Sequence, residues 1–121
     1  MVFNSSKPIY SQIYDMLIRD IINGKYKCGD KIISINEFSK KYVVNQNTVI
    51  HAYRELMYDN IIISKRGLGF FVTTDTNIIN SFCEKRIDSL ILSFLKEIKN
   101  CGFSKKELLR KIEEVNFDDI N

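Results

Sequence analysis

The stretch SINEFSKKYVVNQNTVIHAYRELMYDNIIISKRGLGFFVT, residues 34–73, decides the fold. It opens on Ser34-Ile35-Asn36-Glu37, a spacing that lets the Ser34 hydroxyl accept from the Glu37 N–H while Glu37 reaches back, the capping box that starts a helix. Phe38 and Tyr42 then fall four apart, on the inward side of a short helix. Asn45 is a second cap only a few residues on, ahead of Val49, Tyr53 and Leu56 at helical spacing. Two helices are therefore joined by a very short turn. Past Asp59-Asn60 the pattern changes: the β-rich runs Ile61–Lys65 and Phe70–Thr73, around Arg66-Gly67-Leu68-Gly69, read as a hairpin.

Upstream, Pro8 opens a segment in which Ile9, Ile13, Leu17 and Ile21 recur every four residues, and Asn23-Gly24 supplies a left-handed stop, so the spacing predicts a first helix over 8–23. Gly29-Asp30 is a turn. The order helix, helix, tight turn, helix, hairpin is that of the winged helix-turn-helix, whose third helix enters the major groove while the hairpin lies on the neighbouring backbone or minor groove.

Downstream, the polar residues from Thr74 read as a linker over 74–77. Between Ile78 and Ile98 the apolar residues, among them Phe82, Ile87, Leu90, Ile91, Phe94, Leu95 and Ile98, cover more than half of a helix circumference, too broad a face for one neighbouring helix. Gly102 stops this helix. Ser104-Lys105-Lys106-Glu107 is a further capping box, starting a last helix with Leu108, Leu109, Ile112 and Val115. About 40 residues are near the lower limit for an independent core, so a second copy of the chain is the expected cover. The expected architecture is mainly α with a small β-hairpin: a winged helix-turn-helix over 1–73 and a two-helix dimerisation segment over 78–121.

The bulk properties agree. A chain of 121 residues that is 45% hydrophobic can bury one modest core plus an appendage. Residues 1–73 carry ten Lys or Arg against six Asp or Glu, a balance of +4, and residues 74–121 carry eight against nine, a balance of −1. A basic first part attached to a nearly neutral second part suits a nucleic-acid module joined to something that need not touch phosphate. No apolar run approaches the roughly 20 residues of a membrane span. The first residues lack the order of a secretory signal, and the three cysteines, Cys28, Cys83 and Cys101, have neither scaffold nor metal-knuckle spacing. A reducing cytoplasm is expected, with no cofactor and no metal. His51 is the only histidine and no phosphate-binding glycine loop occurs, so no catalytic constellation is present.

The candidate DNA-contacting residues follow from the fold. Gln46, Asn47, Thr48 and His51 occupy the first two turns of the third helix, where a helix aimed into the major groove presents side chains to base edges. Ser34, Asn36 and Asn45 lie at the starts of the second and third helices, Asn45 more as cap than as contact. Arg54 either reaches phosphate or pairs internally with an acid such as Asp59. Lys65, Arg66 and Gly67 form the hairpin tip, where cations pair with phosphate and glycine allows close approach.

The residues Pro8-Ile9-Tyr10, Asn23-Gly24, Gly29-Asp30-Lys31-Ile32, Ser34, Glu37-Phe38, Asn47-Thr48-Val49, Ala52-Tyr53-Arg54-Glu55-Leu56 and Arg66-Gly67-Leu68-Gly69-Phe70-Phe71-Val72 resemble the GntR family of bacterial regulators. The ending Gly102-Phe103-Ser104-Lys105-Lys106-Glu107-Leu108-Leu109 is similar to that of its small YtrA-like subgroup. The resemblance implies a homodimeric repressor of its own or a neighbouring operon, in the subgroup commonly one for an ABC transporter, acting on double-stranded operator DNA. It departs at DNA-facing positions: relatives have proline at Cys28 and Ile33, arginine at Asn36, often arginine at Gln46, and arginine at Ile50. The missing arginines leave a second reading open, a winged-helix interaction module that has lost specific DNA binding. A tail this short can hardly enclose a metabolite pocket within one chain, so whether an effector exists is unknown.

Overall fold

The computed structural model describes residues 3–121. Its elements, in order, are α1 (Ile9–Ile22), α2 (Ile35–Tyr42), α3 (Gln46–Tyr58), β1 (Ile62–Lys65), β2 (Gly69–Val72), α4 (Thr76–Asn100), α5 (Lys105–Glu114) and a closing 3-10 turn, Phe117–Asp119. Two compact units divide the chain between Cys83 and Glu84.

The first unit is built on apolar faces that the sequence spacing lays out. Helix α1 buries Ile13, Leu17, Ile18 and Ile21, α2 buries Phe38, and α3 buries Val49, Ala52, Tyr53 and Leu56. Ile9, expected on the inward face of α1, is instead exposed. Each four-residue step overshoots a full turn by about 40°, so Ile9 lies about 120° round the helix from Ile21, and Ile18 takes a place in the stripe.

Strands β1 and β2 pair antiparallel in the register Ile62↔Val72 to Lys65↔Gly69. A third strand piece, not apparent in the sequence, lies along the other edge of β2. Lys31 bridges Phe71, the Ile32 N–H donates to the Phe70 carbonyl (2.9 Å), and the Val72 N–H donates to the Asp30 carbonyl (2.8 Å). This short ladder satisfies backbone groups on the second edge of β2. Gly29, at φ 86°, makes the turn into it.

Three helix starts use the expected caps. Ser34 accepts from the Glu37 N–H, Asn45 from the Asn47 N–H, and Ser104 from the Glu107 N–H, the last within a complete capping box. A fourth cap replaces part of the expected linker. The Asp75 carboxylate accepts from the Asn77 N–H (2.9 Å), so α4 begins at Thr76 and the polar residues 74–77 include a helix start. The change of unit consequently falls inside α4 rather than at 74–77. Ile78, Ile79 and Phe82 pack on the first unit's core, which explains why the apolar face over 78–98 looked so broad: it serves two purposes along its length.

The turn between α2 and α3 has one costly feature. Val43 ends α2 at φ 52°, ψ 57°, in the left-handed region, although it is β-branched and 89% exposed. Left-handed backbone costs an L-residue about 1–2 kcal/mol and glycine much less. Nothing is packed there to compensate. Val43→Gly is therefore expected to raise the unfolding free energy by about 0.5–1 kcal/mol in urea denaturation, the left-handed strain relieved less the backbone entropy glycine gives up; a loss of stability would show that the strain lies elsewhere.

Candidate nucleic-acid interface

Tyr53 fixes α3 against the rest of the first unit. Its ring is fully buried, its hydroxyl donates to the Ile33 carbonyl (2.6 Å), and it meets Phe70 of β2 edge-on, with centroids 5.1 Å apart at 87°. One residue therefore ties the third helix to the chain entering α2 and to the hairpin. A second tie joins α1 to the far end of α3, the Tyr14 hydroxyl donating to the Asp59 carboxylate (2.5 Å).

With its inner face anchored, α3 turns Gln46, Asn47, His51 and Arg54 outward, all exposed, with Thr48 and Ile50 half-buried beside them. Asn45 caps the helix, its side chain accepting from the Asn47 N–H (2.8 Å). Gln46 Nε2 donates to Asn36 Oδ1 (2.9 Å), so the two amides form one polar unit across the starts of α2 and α3. Ser34 is occupied by its cap, accepting from the Glu37 N–H and donating to the Glu37 carboxylate, both at 3.1 Å.

His51 is held more firmly than its place on a polar face suggests. Its ring stacks on Tyr10 with centroids 3.7 Å apart and planes within 17°, and Nε2 stands 3.7 Å from Glu55 Oε1. No spacing rule brings Tyr10, on another helix, to this ring. Arg54 makes no ion pair among the described residues, and Asp59, its suggested partner, is taken by Tyr14.

At the hairpin tip the Leu68 N–H closes onto the Lys65 carbonyl (2.9 Å), and Gly67 turns the chain at φ 75°. Lys65, Arg66 and Gly67 are exposed, as is Lys31 on the neighbouring strand piece. Lys31 carries no signal in the sequence beyond its charge, because a single bridge leaves no alternation to read.

In the second unit, Ile87, Leu90, Ile91, Phe94, Leu95, Leu109 and Ile112 are all at least 40% exposed, whereas Leu108 is buried and Ile98 half-buried against their own unit. An open recess of about 310 Å³, lined by Leu95, Ile98, Lys99, Phe103, Lys105 and Leu108, lies between α4 and α5. Phe82 packs in the first unit, its ring 6.2 Å from that of Tyr14, and does not belong to this exposed set. Cys28 and Cys101 are exposed and Cys83 half-buried, all three unbridged. Among the described residues no His, Cys, Asp or Glu cluster could hold a metal, and no helix is long and apolar enough to cross a membrane.

Comparison with known proteins agrees with this geometry. The profile of the bacterial regulatory proteins of the gntR family matches residues 9–72, the three helices and the hairpin. The chain belongs to the GntR family. Among its relatives, the uncharacterized HTH-type transcriptional regulator YhcF of Bacillus subtilis is 32% identical over 111 residues, 92% of each chain. The HTH-type transcriptional repressor YtrA of the same organism is 29% identical over 94% of this chain and 88% of its own. These matches run through α4 and α5, so the likeness to the YtrA subgroup spans both units. A GntR family transcriptional regulator from Listeria monocytogenes superposes with a TM-score of 0.89 at 33% identity, over 94% of this chain and all of that one. The DNA-binding domain of AraR, solved in complex with an operator, matches 60% of this chain and 88% of its own at 26% identity and a TM-score of 0.55. The protein is accordingly a transcription regulator with a winged helix-turn-helix domain, and not an enzyme.

The Tyr53 anchor is open to a direct check. Burial, reinforced by Tyr26, Glu37 and Tyr42, pushes its phenol far above the ordinary value near 10. Tyr53→Phe leaves a polar carbonyl at Ile33 without its donor and is expected to cost about 1–3 kcal/mol of unfolding free energy. In the parent protein, stability conferred by the protonated phenol is complete below about pH 10 and falls as pH rises beyond it, because only the unfolded tyrosine ionises there. Denaturation curves at neutral and alkaline pH should show the two proteins converging; a constant gap would mean that ionisation of Tyr53 is not involved.

Proposed function

We propose that the chain acts as a homodimeric repressor of its own or a neighbouring operon in the cytoplasm. Two α3 helices would read a two-fold symmetric operator in duplex DNA. The observation that carries this reading is the exposed, capped start of α3, with Gln46 and Asn47 outward and the cations of Lys65 and Arg66 on the same unit. Repression is supported by the name of YtrA, and DNA as the partner by the operator complex of the AraR domain.

In this reading Gln46, Asn47, Thr48 and Asn36 face base edges, while Arg54, Lys65, Arg66 and Gly67 approach the backbone. Ser34 and Asn45 act through the helix starts they cap, and His51 through the Tyr10 stack that steadies α3. With one Nε2 hydrogen given to Asn36, Gln46 keeps Oε1 and a second N–H along its amide edge. That edge suits the N6 and N7 atoms of adenine, whereas arginine would suit guanine. Half-sites richer in A·T than those of arginine-bearing relatives follow. Selection from a random duplex pool should return such a palindrome, and Gln46→Ala and Asn47→Ala should each lower discrimination at one position by about 1–3 kcal/mol. A G·C-rich consensus, or one indifferent to both changes, would refute the reading.

Dimerisation is assigned to the exposed residues Ile87, Leu90, Ile91, Phe94, Leu95, Leu109 and Ile112, because so much apolar surface on a unit of 38 residues needs cover. Leu90→Glu combined with Phe94→Glu should give monomers in sedimentation with the first unit still folded. A dimer of unchanged affinity would place the interface elsewhere.

A further inference from the structure

The outer face of the hairpin carries a basic site that its tip does not account for. Successive residues of a strand point to opposite faces. The pairs Lys65↔Gly69 and Ile63↔Phe71, with Lys31 bridged to Phe71, therefore place Lys31, Lys65, Gly69 and Phe71 on one face. Ile62, Phe70 and Val72 occupy the other, towards the core.

Lys31 leaves the backbone beside Phe71 but does not stay there. A Cβ at Gly69 would stand 3.0 Å from Lys31 Cε and 3.7 Å from Nζ, so the lysine stem lies over the glycine, two residues (about 7 Å) nearer the hairpin tip. Gly69, at φ 116°, is a backbone conformation that side-chain-bearing residues rarely adopt, and the missing side chain is the space Lys31 uses. From the opposite strand, Lys65 sets its ammonium 4.4 Å from the centroid of the Phe71 ring, a cation–π contact that holds a long flexible side chain in place.

Neither charge is neutralised locally. Residues 61–73 contain no Asp or Glu. Asp30, the acid next to Lys31 in sequence, accepts from the Lys27 N–H (2.8 Å). Among the described residues no ion pair involves Lys31, Lys65 or Arg66. Two ammonium groups, Lys31 over Gly69 and Lys65 over Phe71, thus share one face of the hairpin next to the cationic tip.

We propose that this outer face is a second backbone contact of the DNA interface, Lys31 and Lys65 binding phosphodiester oxygens beside the groove that Arg66 and Gly67 approach. The inference rests on the DNA-binding reading of the domain and adds Lys31 as a positioning residue. A compact ammonium suits a phosphate as a point charge and carries no sequence information, so the site sets affinity and register rather than operator choice.

Lys31→Met and Lys65→Met keep the stems over Gly69 and Phe71 and remove only the charge. Binding of the full-length protein to a random-sequence duplex and to the pool-selected duplex is measured over a range of salt concentrations. Each variant should bind both duplexes several-fold more weakly, by the same factor, with a salt slope shallower by about 0.9. Lys31→Arg should restore the slope. An unchanged slope in Lys31→Met, with parental binding intact, would overturn this inference alone, whereas an unchanged slope in Lys65→Met would also remove Lys65 from the backbone contacts of the proposed function. A loss confined to the selected duplex would also overturn it, by making the face a reader of bases. Absence of salt-dependent binding in the parent protein would instead refute the DNA-binding reading. Unaltered thermal unfolding of the Met variants excludes a folding defect as the cause.

Discussion

The proposed interface is built around the buried phenol of Tyr53. An α-helix lying on a hairpin can slide or roll unless something directional fixes it, because apolar packing by itself has little orientational preference. The Tyr53 hydroxyl bond to the Ile33 carbonyl and its edge-on contact with Phe70 supply two directions at once. They set α3 in relation to both the α2 start and the wing, the three pieces that carry the polar side chains. The Gln46–Asn36 bond and the Tyr10–His51 stack then refine the exposed end of α3 on that frame.

Around this anchor, polar side chains differ between the start of α3 and the wing. Next to the helix start are amides, which make directional, neutral hydrogen bonds and so suit base edges. On the wing are ammonium and guanidinium groups, which tolerate imprecise geometry and suit a diffuse polyanion. Glu55, the one acid on the outward side of α3 near His51, is held beside that imidazole. The second unit has almost no core of its own, Leu108 being its sole buried apolar residue among those described. That shortage of buried apolar surface is what the proposed dimerisation would make good.

Most of the architecture was legible in the sequence, and the parts that were not share a cause. The helices with strong caps, Ser34, Asn45 and Ser104, start where their side chains predict, since capping is a local interaction between residues two or three apart. The hairpin was equally plain from its β-branched runs and glycines. What local pattern could not reveal depends on pairing between distant residues. The strand piece at Lys31 exists only because β2 presents an edge, the His51 stack needs Tyr10 from another helix, and Phe82 is drawn into the first unit by Tyr14. The start of α4 was misread for a different reason. Asp75 is as good a cap as a linker residue, and composition alone does not separate the two. The candidate site itself divides the same way, with the exposed residues of α3 readable from helical spacing, the wing tip from the glycine-bearing turn between two β-rich runs, and Lys31 invisible to both.

The account stands or falls on which surface meets DNA. Titrating the isotopically labelled protein with the pool-selected duplex, and following each backbone amide by nuclear magnetic resonance, tests this residue by residue. The predicted result is that the largest shifts fall on Asn36, Gln46 to His51 and Lys65 to Gly67, with Lys31 also moving, while the amides of α5 stay in place. Shifts concentrated in residues 84–121, with α3 and the wing unmoved, would contradict it.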